Sequence, residues 1–282
     1  MKYANLHLHS THSDANLTPQ QLVYIGKSLG YKALALTDHE TDSGVREFQA
    51  EAAAEGIEAI VGVEFYGTEG ALTPHIVALD YDMEDTGIRT FIDDLCHARC
   101  ESTRKSFELG VRLGYIHDLT WNDVLDLNPD GAWLCIDSLM NTMKLKKLVP
   151  PGYDWTDFRN ALFKSAEAKS YAPPKPSAKQ VIETIRGAGG VAILAHPKNF
   201  THLPALISYG LNGIEVCHPS MTLEGMQIAE EAAKTYNLYR SGGTDHTGPM
   251  SGCGGRLAIP AYQGVDENDL RILLERRLSP VL

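Results

Sequence analysis

The sequence predicts an α/β fold in which parallel strands close into a barrel that carries a mostly helical insertion. Strand and helix patterns alternate along most of the 282 residues, as is typical of a parallel sheet. Histidines and carboxylates recur where the predicted strands end, and in a barrel these ends meet on the face that holds active sites. An open doubly wound sheet is the structural alternative, but the recurrence favours the barrel.

The first part of the chain predicts four strands, indicated by the stretches YANLHLHS, KALALTDH, IEAIVGVEFYG and LTPHIVALDY. Thr18 and Gln21 form a capping-box pattern around Pro19, which predicts the start of the first helix. The turn-like stretch GTEGA predicts that the third and fourth strands pair as a hairpin. Further helical patterns cover residues 43–55 and 86–114.

Residues 115–175 lose this alternation. They hold all three tryptophans of the chain and the proline pairs Pro150-Pro151 and Pro173-Pro174. We interpret the segment as a mostly helical insertion or lid. The predicted division is therefore a first barrel part at 1–114, the insertion at 115–175 and a second barrel part at 176–282.

The second barrel part resumes the alternation. Ser177 and Gln180 predict a second capping box. Strands are indicated by VAILAHP, GIEVCHP and GRLAIP, and the stretch LYRSGGTDH ends in a loop. Helical patterns cover residues 222–236 and 267–277.

The composition limits the classes of function. The formal net charge of −11 argues against a broad nucleic-acid surface, which would be basic. No apolar run approaches the ~20 residues of a membrane span, and no basic-then-apolar signal pattern follows Met1. The five cysteines form no CxxC pair, as is typical in a reducing compartment. We therefore expect a cytoplasmic protein without a membrane partner.

His7 and His9 lie two residues apart on the first predicted strand and therefore face the same side. Imidazoles and carboxylates on one face suit manganese, iron or zinc. Further such residues occupy equivalent places at strand ends or in the hairpin: Asp14, His39, Glu64, His75, His196, His218, Asp245 and His246.

These candidates are too many for one ion, because a single site needs three or four protein ligands. They suit two or three ions, with Glu64 as the bridging carboxylate on a central strand. Two neighbouring metal ions stabilise the attacking and leaving oxygens of a displacement at phosphorus. The residues therefore predict hydrolysis of a phosphate ester.

Four ordered motifs resemble those of the PHP (polymerase and histidinol phosphatase) domain family of metal-dependent phosphoesterases. The stretches LHLHSTHSD, ALTDHETDSGV, AGGVAILAHP and GGTDHTG resemble the four motifs in order, and VGVEF carries the family's glutamate. The resemblance covers nearly the whole chain. It implies a distorted seven-stranded β/α barrel with a trinuclear centre of divalent transition metals.

The resemblance also implies a ligand set for each ion and an attack on phosphorus by a metal-bound hydroxide. His39 or His196 is a candidate catalytic acid near the leaving oxygen. The implied ligands are His7, His9, Glu64 and Asp245 for the first metal, Glu64, His75 and His196 for the second, and Asp14, His39 and His246 for the third.

Two stretches depart from the family pattern. The last motif usually has one residue between its aspartate and its histidine, whereas His246 follows Asp245 directly, so His218 is an alternative ligand. Nucleotide-hydrolysing relatives usually carry a glycine-arginine-proline-histidine stretch in the insertion, where this chain reads GAWLCIDS. This difference favours another small substrate, a phosphomonoester or a cyclic phosphodiester such as a phosphoribosyl cyclic phosphate, since some relatives open such cyclic phosphates.

Candidate substrate-binding cations lie near the predicted rim: Lys198, Arg159 and Arg240, with Arg99 and Arg104 on the helix that leads to the insertion. We expect a small phosphorylated partner and no extended nucleic acid.

Three other functions are alternatives. One is a nuclease or nucleotidase that acts on 3′,5′-bisphosphate nucleotides or short oligonucleotides. Another is a non-catalytic scaffold, which should have lost ligands. The last is a barrel hydrolase of C–N bonds, which often uses a carboxylated lysine as the bridge where this chain has Glu64.

Overall fold

Short strands form two sheets in the computed structural model, which describes residues 2–173, 175–248 and 263–281. The first sheet is parallel, with the strand order β1-β2-β3, and its register pairs Asn5 with Leu34 and Leu34 with Ala59. Its strands are β1 (Ala4–Asn5), β2 (Ala33–Ala35) and β3 (Glu58–Ile60).

The second sheet is mixed and has the strand order β4-β5-β6-β7-β8. The predicted hairpin is confirmed, because the first two strands pair antiparallel with Glu64 opposite Val77. The third strand is antiparallel to the second, and the last three are parallel. The strands are β4 (Gly62–Tyr66), β5 (His75–Leu79), β6 (Val191–Leu194), β7 (Gly213–Cys217) and β8 (Tyr239–Gly242).

The α/β class is confirmed, but the predicted closed seven-stranded barrel is not. Over the described residues, strand pairing between the two sheets is limited to isolated bridges, among them Leu8 with His246 and His39 with Glu64, although side chains of both sheets share a hydrophobic core. One reason is that the predicted strand IEAIVGVEFYG breaks at Val61 into β3 and β4, which belong to different sheets. The predicted strand GRLAIP lies outside the described residues.

The first strand is shorter than predicted because a side chain takes over its hydrogen bonds. Asn5 Oδ1 accepts from the backbone N–H groups of His7, at 3.3 Å, and Thr244, at 3.1 Å. Asn5 Nδ2 donates to Thr244 Oγ1 at 2.9 Å. The chain therefore leaves the regular ladder at His7 while it stays tied to the end of β8.

Helices cover the sheets, and their ends follow the sequence signals. The capping box at Thr18 is confirmed, since its hydroxyl accepts from Gln21 N and Gln21 Oε1 accepts from Thr18 N. At Ser177 the structure records the hydroxyl half of the predicted box, with Gln180 N donating at 3.1 Å. The helices are α1 (Pro19–Ser28), α2 (Val45–Glu55), α3 (Thr86–Arg112), α4 (Trp121–Asp126), α5 (Ile136–Leu145), α6 (Thr156–Arg159), a π-helical turn (Asn160–Lys164), α7 (Ala166–Ser170), α8 (Ala178–Gly187), α9 (Leu203–Ser208), α10 (Leu223–Thr235) and α11 (Glu267–Leu274).

The segment predicted as an insertion contains short helices around an apolar cluster of its own. Phe158 and Leu139 are fully buried there against Phe107 of α3. Trp133 joins this segment to the sheets, because its backbone N–H donates to His12 O at 2.8 Å and its Nε1 donates to Glu40 Oε2 at 2.9 Å. The boundaries of the predicted domains stay a prediction.

Within the described ranges, no helix combines the length and the apolar character that crossing a bilayer requires.

Candidate metal centre

Glu64 of β4 lies at the centre of a buried group of imidazoles. It is 1% exposed, and its carboxylate oxygens lie 2.9–3.4 Å from a ring nitrogen of each of five histidines. A carboxylate with several ligand nitrogens around both oxygens has the arrangement that a bridging ligand needs. The five histidines are His7, His9, His39, His75 and His196.

Two aspartates complete the group from opposite sides. Asp14 reaches His9 Nδ1 at 3.6 Å and His39 Nε2 at 3.8 Å. Asp245 Oδ1 lies 3.1 Å from His9 Nε2 and 3.7 Å from His7 Nε2. The structure therefore brings together eight of the nine predicted metal ligands.

The donor geometry fits metal ions. His39 Nδ1 and Glu64 Oε2 are buried without a hydrogen-bond partner among the described residues, although they lie only 3.1 Å apart. Buried polar atoms normally have partners, and a cation between these two would supply one. Triplets of donor atoms within 4.8 Å of one another recur here: His7–His9–Glu64, His39–Glu64–His75, His9–Asp14–His39, His7–His196–Asp245 and His7–Glu215–His218.

His246 does not join these triplets among the described residues. Its side chain is buried, and its backbone carbonyl accepts from His9 N at 3.2 Å beside the bridge to Leu8. In the triplet with Asp14 and His39, His9 stands where the family resemblance implied His246. The predicted ligand role of His246 stays a prediction.

His218 lies beside the group, with Nε2 3.4 Å from Asp245 Oδ2. Ser220 N donates to His218 Nδ1 at 3.1 Å. Like His39 Nδ1, His218 Nε2 is buried without a hydrogen-bond partner among the described residues. The role of His218 as the alternative ligand stays a prediction.

Glu215 of β7 was missed by the sequence reasoning. Its Oε1 lies 2.9 Å from His7 Nδ1, and its Oε2 accepts from His196 N at 2.5 Å. A carboxylate that accepts the Nδ1 proton leaves His7 Nε2 free to bind a metal. The available signal was a single carboxylate inside the apolar strand GIEVC, where it is 1% exposed.

The buried charges shift the pKa values of these groups in opposite directions. Burial lowers the pKa of His7, but nearby carboxylates, led by Glu215, outweigh it and raise the pKa well above its usual value. The pKa of His9 is raised in the same way, with Asp14 as the leading carboxylate. Burial raises the pKa of Glu64, but His7 and other imidazoles bring it well below its usual value. Burial raises the pKa of Asp14 to about 7. Metal ions and protons therefore compete for the same atoms.

A cavity of about 470 Å³ opens onto the metal-binding group. Lys198, one of the predicted substrate-binding cations, lines it beside His196. The other two do not line it. Arg159 pairs with Asp137 at 3.2 Å, and Arg240 pairs with Glu230 and Asp269 on the far side of β8.

A second cavity of about 200 Å³ adjoins the first, because Asp14 and Tyr66 line both. Arg99 lines it with its guanidinium 4.9 Å from the ring centre of Trp133 and 6.0 Å from that of Tyr66. Lys175 lies over Tyr66, with Nζ at 5.3 Å from the ring centre. Sequence reasoning named Arg99 as a candidate and missed Lys175, which lies in a loop without a motif.

Comparisons with known proteins identify a matching family and several relatives. The family model described as "PHP domain" matches residues 5–128. A 3′,5′-nucleoside bisphosphate phosphatase from Chromobacterium violaceum is 31% identical, over 89% of this chain and 90% of that protein. A phosphoribosyl 1,2-cyclic phosphate 1,2-diphosphodiesterase from Eggerthella lenta is 26% identical, over 86% and 94%. A 5′-3′ exoribonuclease from Haemophilus influenzae is 29% identical, over 86% and 89%.

A solved structure shares the fold over nearly the full length. It is that of a protein from Bifidobacterium adolescentis described as a metal-dependent phosphoesterase. The TM-score is 0.78 at 26% sequence identity, with 98% of this chain and 96% of that chain covered.

Proposed function

This chain belongs to the PHP domain family and is a hydrolytic phosphoesterase, and we propose that it acts on a small molecule that carries two anionic groups. One group is the phosphomonoester or cyclic phosphodiester that is hydrolysed, and a phosphoribosyl cyclic phosphate is a model of the class. The observation that carries the proposal is a pair of adjoining cavities, one lined by the metal-binding group and one by Arg99, which forms no ion pair with a carboxylate among the described residues.

Three divalent transition ions, manganese, iron or zinc, are the proposed cofactors. The supporting observation is that ligand triplets cluster on both sides of Glu64. We assign His7, His9, Glu64 and Asp245 to the first ion, Glu64, His75 and His196 to the second, and Asp14, His39 and His246 or His218 to the third.

Bound ions of this kind bring the pKa of water to about 7 and stabilise charge on a phosphoryl oxygen. The protein contributes the positions of the ligands. Glu215 fixes His7 through its side chain and His196 through its backbone N–H. Lys198 extends from the strand end that carries His196 and adds positive charge at the mouth of the cavity.

His39 and His196 stay candidates for the transfer of a proton to the leaving oxygen. Burial lowers the pKa of His39 well below its usual value, so this imidazole is neutral near pH 7 and cannot act as an acid without first gaining a proton. His196 Nε2 lies 3.2 Å from Glu64 Oε1. The lowered pKa of His39 and the contact of His196 with Glu64 favour ligand roles for the two histidines. We therefore assign the stabilisation of the leaving oxygen to the metal ions first.

The second anionic group is proposed to bind at Arg99 and Lys175. Neither forms an ion pair with a carboxylate among the described residues, whereas Arg159 and Arg240 do. Arg99 Nε is also buried without a hydrogen-bond partner in the described part of the chain. Burial lowers the pKa of Lys175, and the charge of Arg99 lowers it further. An anion between these cations would relieve both effects.

A second candidate function is hydrolysis of 3′,5′-bisphosphate nucleotides or short oligonucleotides. Two names favour it. The Chromobacterium relative is named for a substrate with two phosphates, and the Haemophilus relative is named an exoribonuclease. The net charge of −11 opposes a long polyanion outside the cavity. The free cysteines of the described residues support a cytoplasmic location.

The test measures kcat/KM, with manganese supplied, for four substrates: a phosphorylated-sugar cyclic phosphate, its analogue without the distal phosphate, a 3′,5′-nucleoside bisphosphate and a short oligonucleotide. A lost charge-assisted contact costs about 1.5–3 kcal/mol. Removing the distal phosphate should therefore lower kcat/KM by roughly ten- to a hundredfold.

Arg99→Ala provides the matching protein variant. It should lower kcat/KM by a similar factor for the substrate with two phosphates and leave the truncated analogue nearly unchanged. Arg240→Ala, which removes a paired arginine outside the cavities, is the control. A large preference for the oligonucleotide would replace the small-molecule function by the nuclease.

A further inference from the structure

Cys96 and Cys100 lie one turn apart on α3, outside the metal-binding group, so their side chains are neighbours on one face of the helix. Both line a solvent-accessible cavity of about 500 Å³, to which none of the proposed metal ligands contributes. Cys96 Sγ donates to Gly131 O at 3.7 Å, and Cys100 Sγ donates to Ala132 O at 3.4 Å. The two thiols therefore face each other and the segment that precedes Trp133.

The environment favours a thiolate at one of the two positions. Interaction with Cys96 lowers the pKa of Cys100 to about 7, although burial opposes the shift. The backbone N–H of Leu134 donates to Cys100 Sγ at 3.4 Å and contributes in the same direction. The same thiol contact raises the pKa of Cys96. The thiolate is the form of cysteine that binds metals and thiophilic centres.

The spacing disfavours a disulfide and suits a bridging atom. A disulfide needs Cβ atoms about 3.5–4.5 Å apart, whereas helix positions i and i+4 have Cβ atoms about 5–6 Å apart. A bridging ion bonded to each sulfur at about 2.3 Å can span sulfurs up to about 4.6 Å apart. Cys96 and Cys100 can therefore hold such an atom without distortion of α3.

We propose that Cys96 and Cys100 form a two-sulfur site for a thiophilic centre, of the class of soft metal ions and trivalent arsenic. Thiolate ligands select soft ions over the hard ions that carboxylates bind. With a trivalent arsenical R–As=O, two As–S bonds form, and the oxygen leaves as water with the two thiol protons. The oxidation state of arsenic and sulfur does not change.

Occupancy of this site acts on the second cavity through the segment 131–134. The bridge takes both thiol protons away from the carbonyls of Gly131 and Ala132. Trp133 follows directly and lies over Arg99, the proposed anion-binding residue. The segment stays attached, because Thr41 Oγ1 still donates to Gly131 O at 2.8 Å. We therefore expect a severalfold rise in KM for a substrate with two phosphates at an unchanged kcat; this expectation rests on the proposed function.

The test uses phenylarsine oxide and the metal-loaded full chain. Mass spectrometry should show one adduct per chain, which a dithiol reverses and a monothiol does not. Cys96→Ser and Cys100→Ser should each weaken binding by roughly a hundredfold, because the second bond to arsenic is then lost. Cys217→Ser, which changes a thiol on β7, should bind as the unmodified protein does.

Two results would overturn the inference. The dithiol site would lie elsewhere if both Cys96→Ser and Cys100→Ser still bound one equivalent of phenylarsine oxide that a monothiol does not remove. An unchanged KM in the fully modified protein would remove the link to Trp133. The chelation is measured without a substrate, so its outcome is independent of whether the chain hydrolyses phosphate esters, whereas the KM outcome rests on the proposed function.

Discussion

Replacing Glu215 with glutamine tests whether this residue positions the metal ligands. The carboxylate accepts at both oxygens, from His7 Nδ1 at 2.9 Å and from His196 N at 2.5 Å. A glutamine keeps the shape but has one acceptor and one donor. One of the two N–H groups must then face an NH₂ group, and the buried negative charge is lost.

The size of the effect follows from these two bonds. One charge-assisted hydrogen bond contributes about 1.5–3 kcal/mol, and each 1.4 kcal/mol is a factor of about ten. Loss of a residue that orients a metal ligand typically lowers metal affinity or activity by about 10- to 100-fold. We therefore expect Glu215→Gln to lower manganese affinity by roughly this factor while the protein stays folded.

The assay is a metal titration of the chelator-treated protein, followed by kcat/KM at saturating manganese and circular dichroism of the same sample. Glu230→Gln is the matched control, because Glu230 pairs with Arg240 on the protein surface. The expected loss is at least about tenfold. A positioning role for Glu215 would be refuted if Glu215→Gln kept its manganese affinity and its kcat/KM within about twofold of the unmodified protein.

Three further predictions concern the metal centre as a whole. Protein purified without a chelator should contain about two to three transition-metal equivalents by elemental analysis, since one site takes three or four ligands, and a value of one at full loading would contradict a trinuclear centre. His9→Ala and Glu64→Ala should each reduce hydrolysis to near background while circular dichroism is unchanged, and full activity in either variant would mean that the site lies elsewhere. The pKa values of His7 and His9 are raised in the folded protein, so the stability that these two residues contribute is present at low pH and is lost as pH rises through those values. The melting temperature of the protein from which a chelator has removed the metal should therefore fall from about pH 6 to pH 9. Manganese affinity should rise over the same range, because protons leave the ligand atoms. A melting temperature of the metal-free protein that rises with pH would contradict the raised pKa values.

The sequence predicted which side chains gather around Glu64 better than the architecture that holds them; their roles as metal ligands stay a prediction. Alternation along one strand placed His7 and His9 on the same side, and Glu64 was placed with them because it lies at an equivalent strand end. The contacts of Glu64 agree with its predicted place as the central carboxylate. Closure of the barrel could not be predicted from local patterns, because it depends on the pairing of strands that are far apart in the sequence.

The residues that were missed depend on long-range packing. Glu215 contacts His7 across 208 positions of sequence, and a strand pattern cannot show which neighbour a buried carboxylate meets. Lys175 lies in a loop without a motif, and it meets Arg99, which was a named candidate, over Tyr66 only in the folded chain. Arg240 was a candidate because it precedes a motif, but alternation along β8 turns its side chain toward Glu230.

The bonds between Asn5 and Thr244 span 239 positions of sequence, and this separation dictates when the metal centre can assemble. A ribosome releases the first strand long before Asp245 exists, and contacts so distant in sequence form slowly because a long loop must close first. His7 and His9 therefore lack their contacts with Glu215 and Asp245 until the chain has been made past residue 245. The full set of proposed ligands comes together only after that segment has been made.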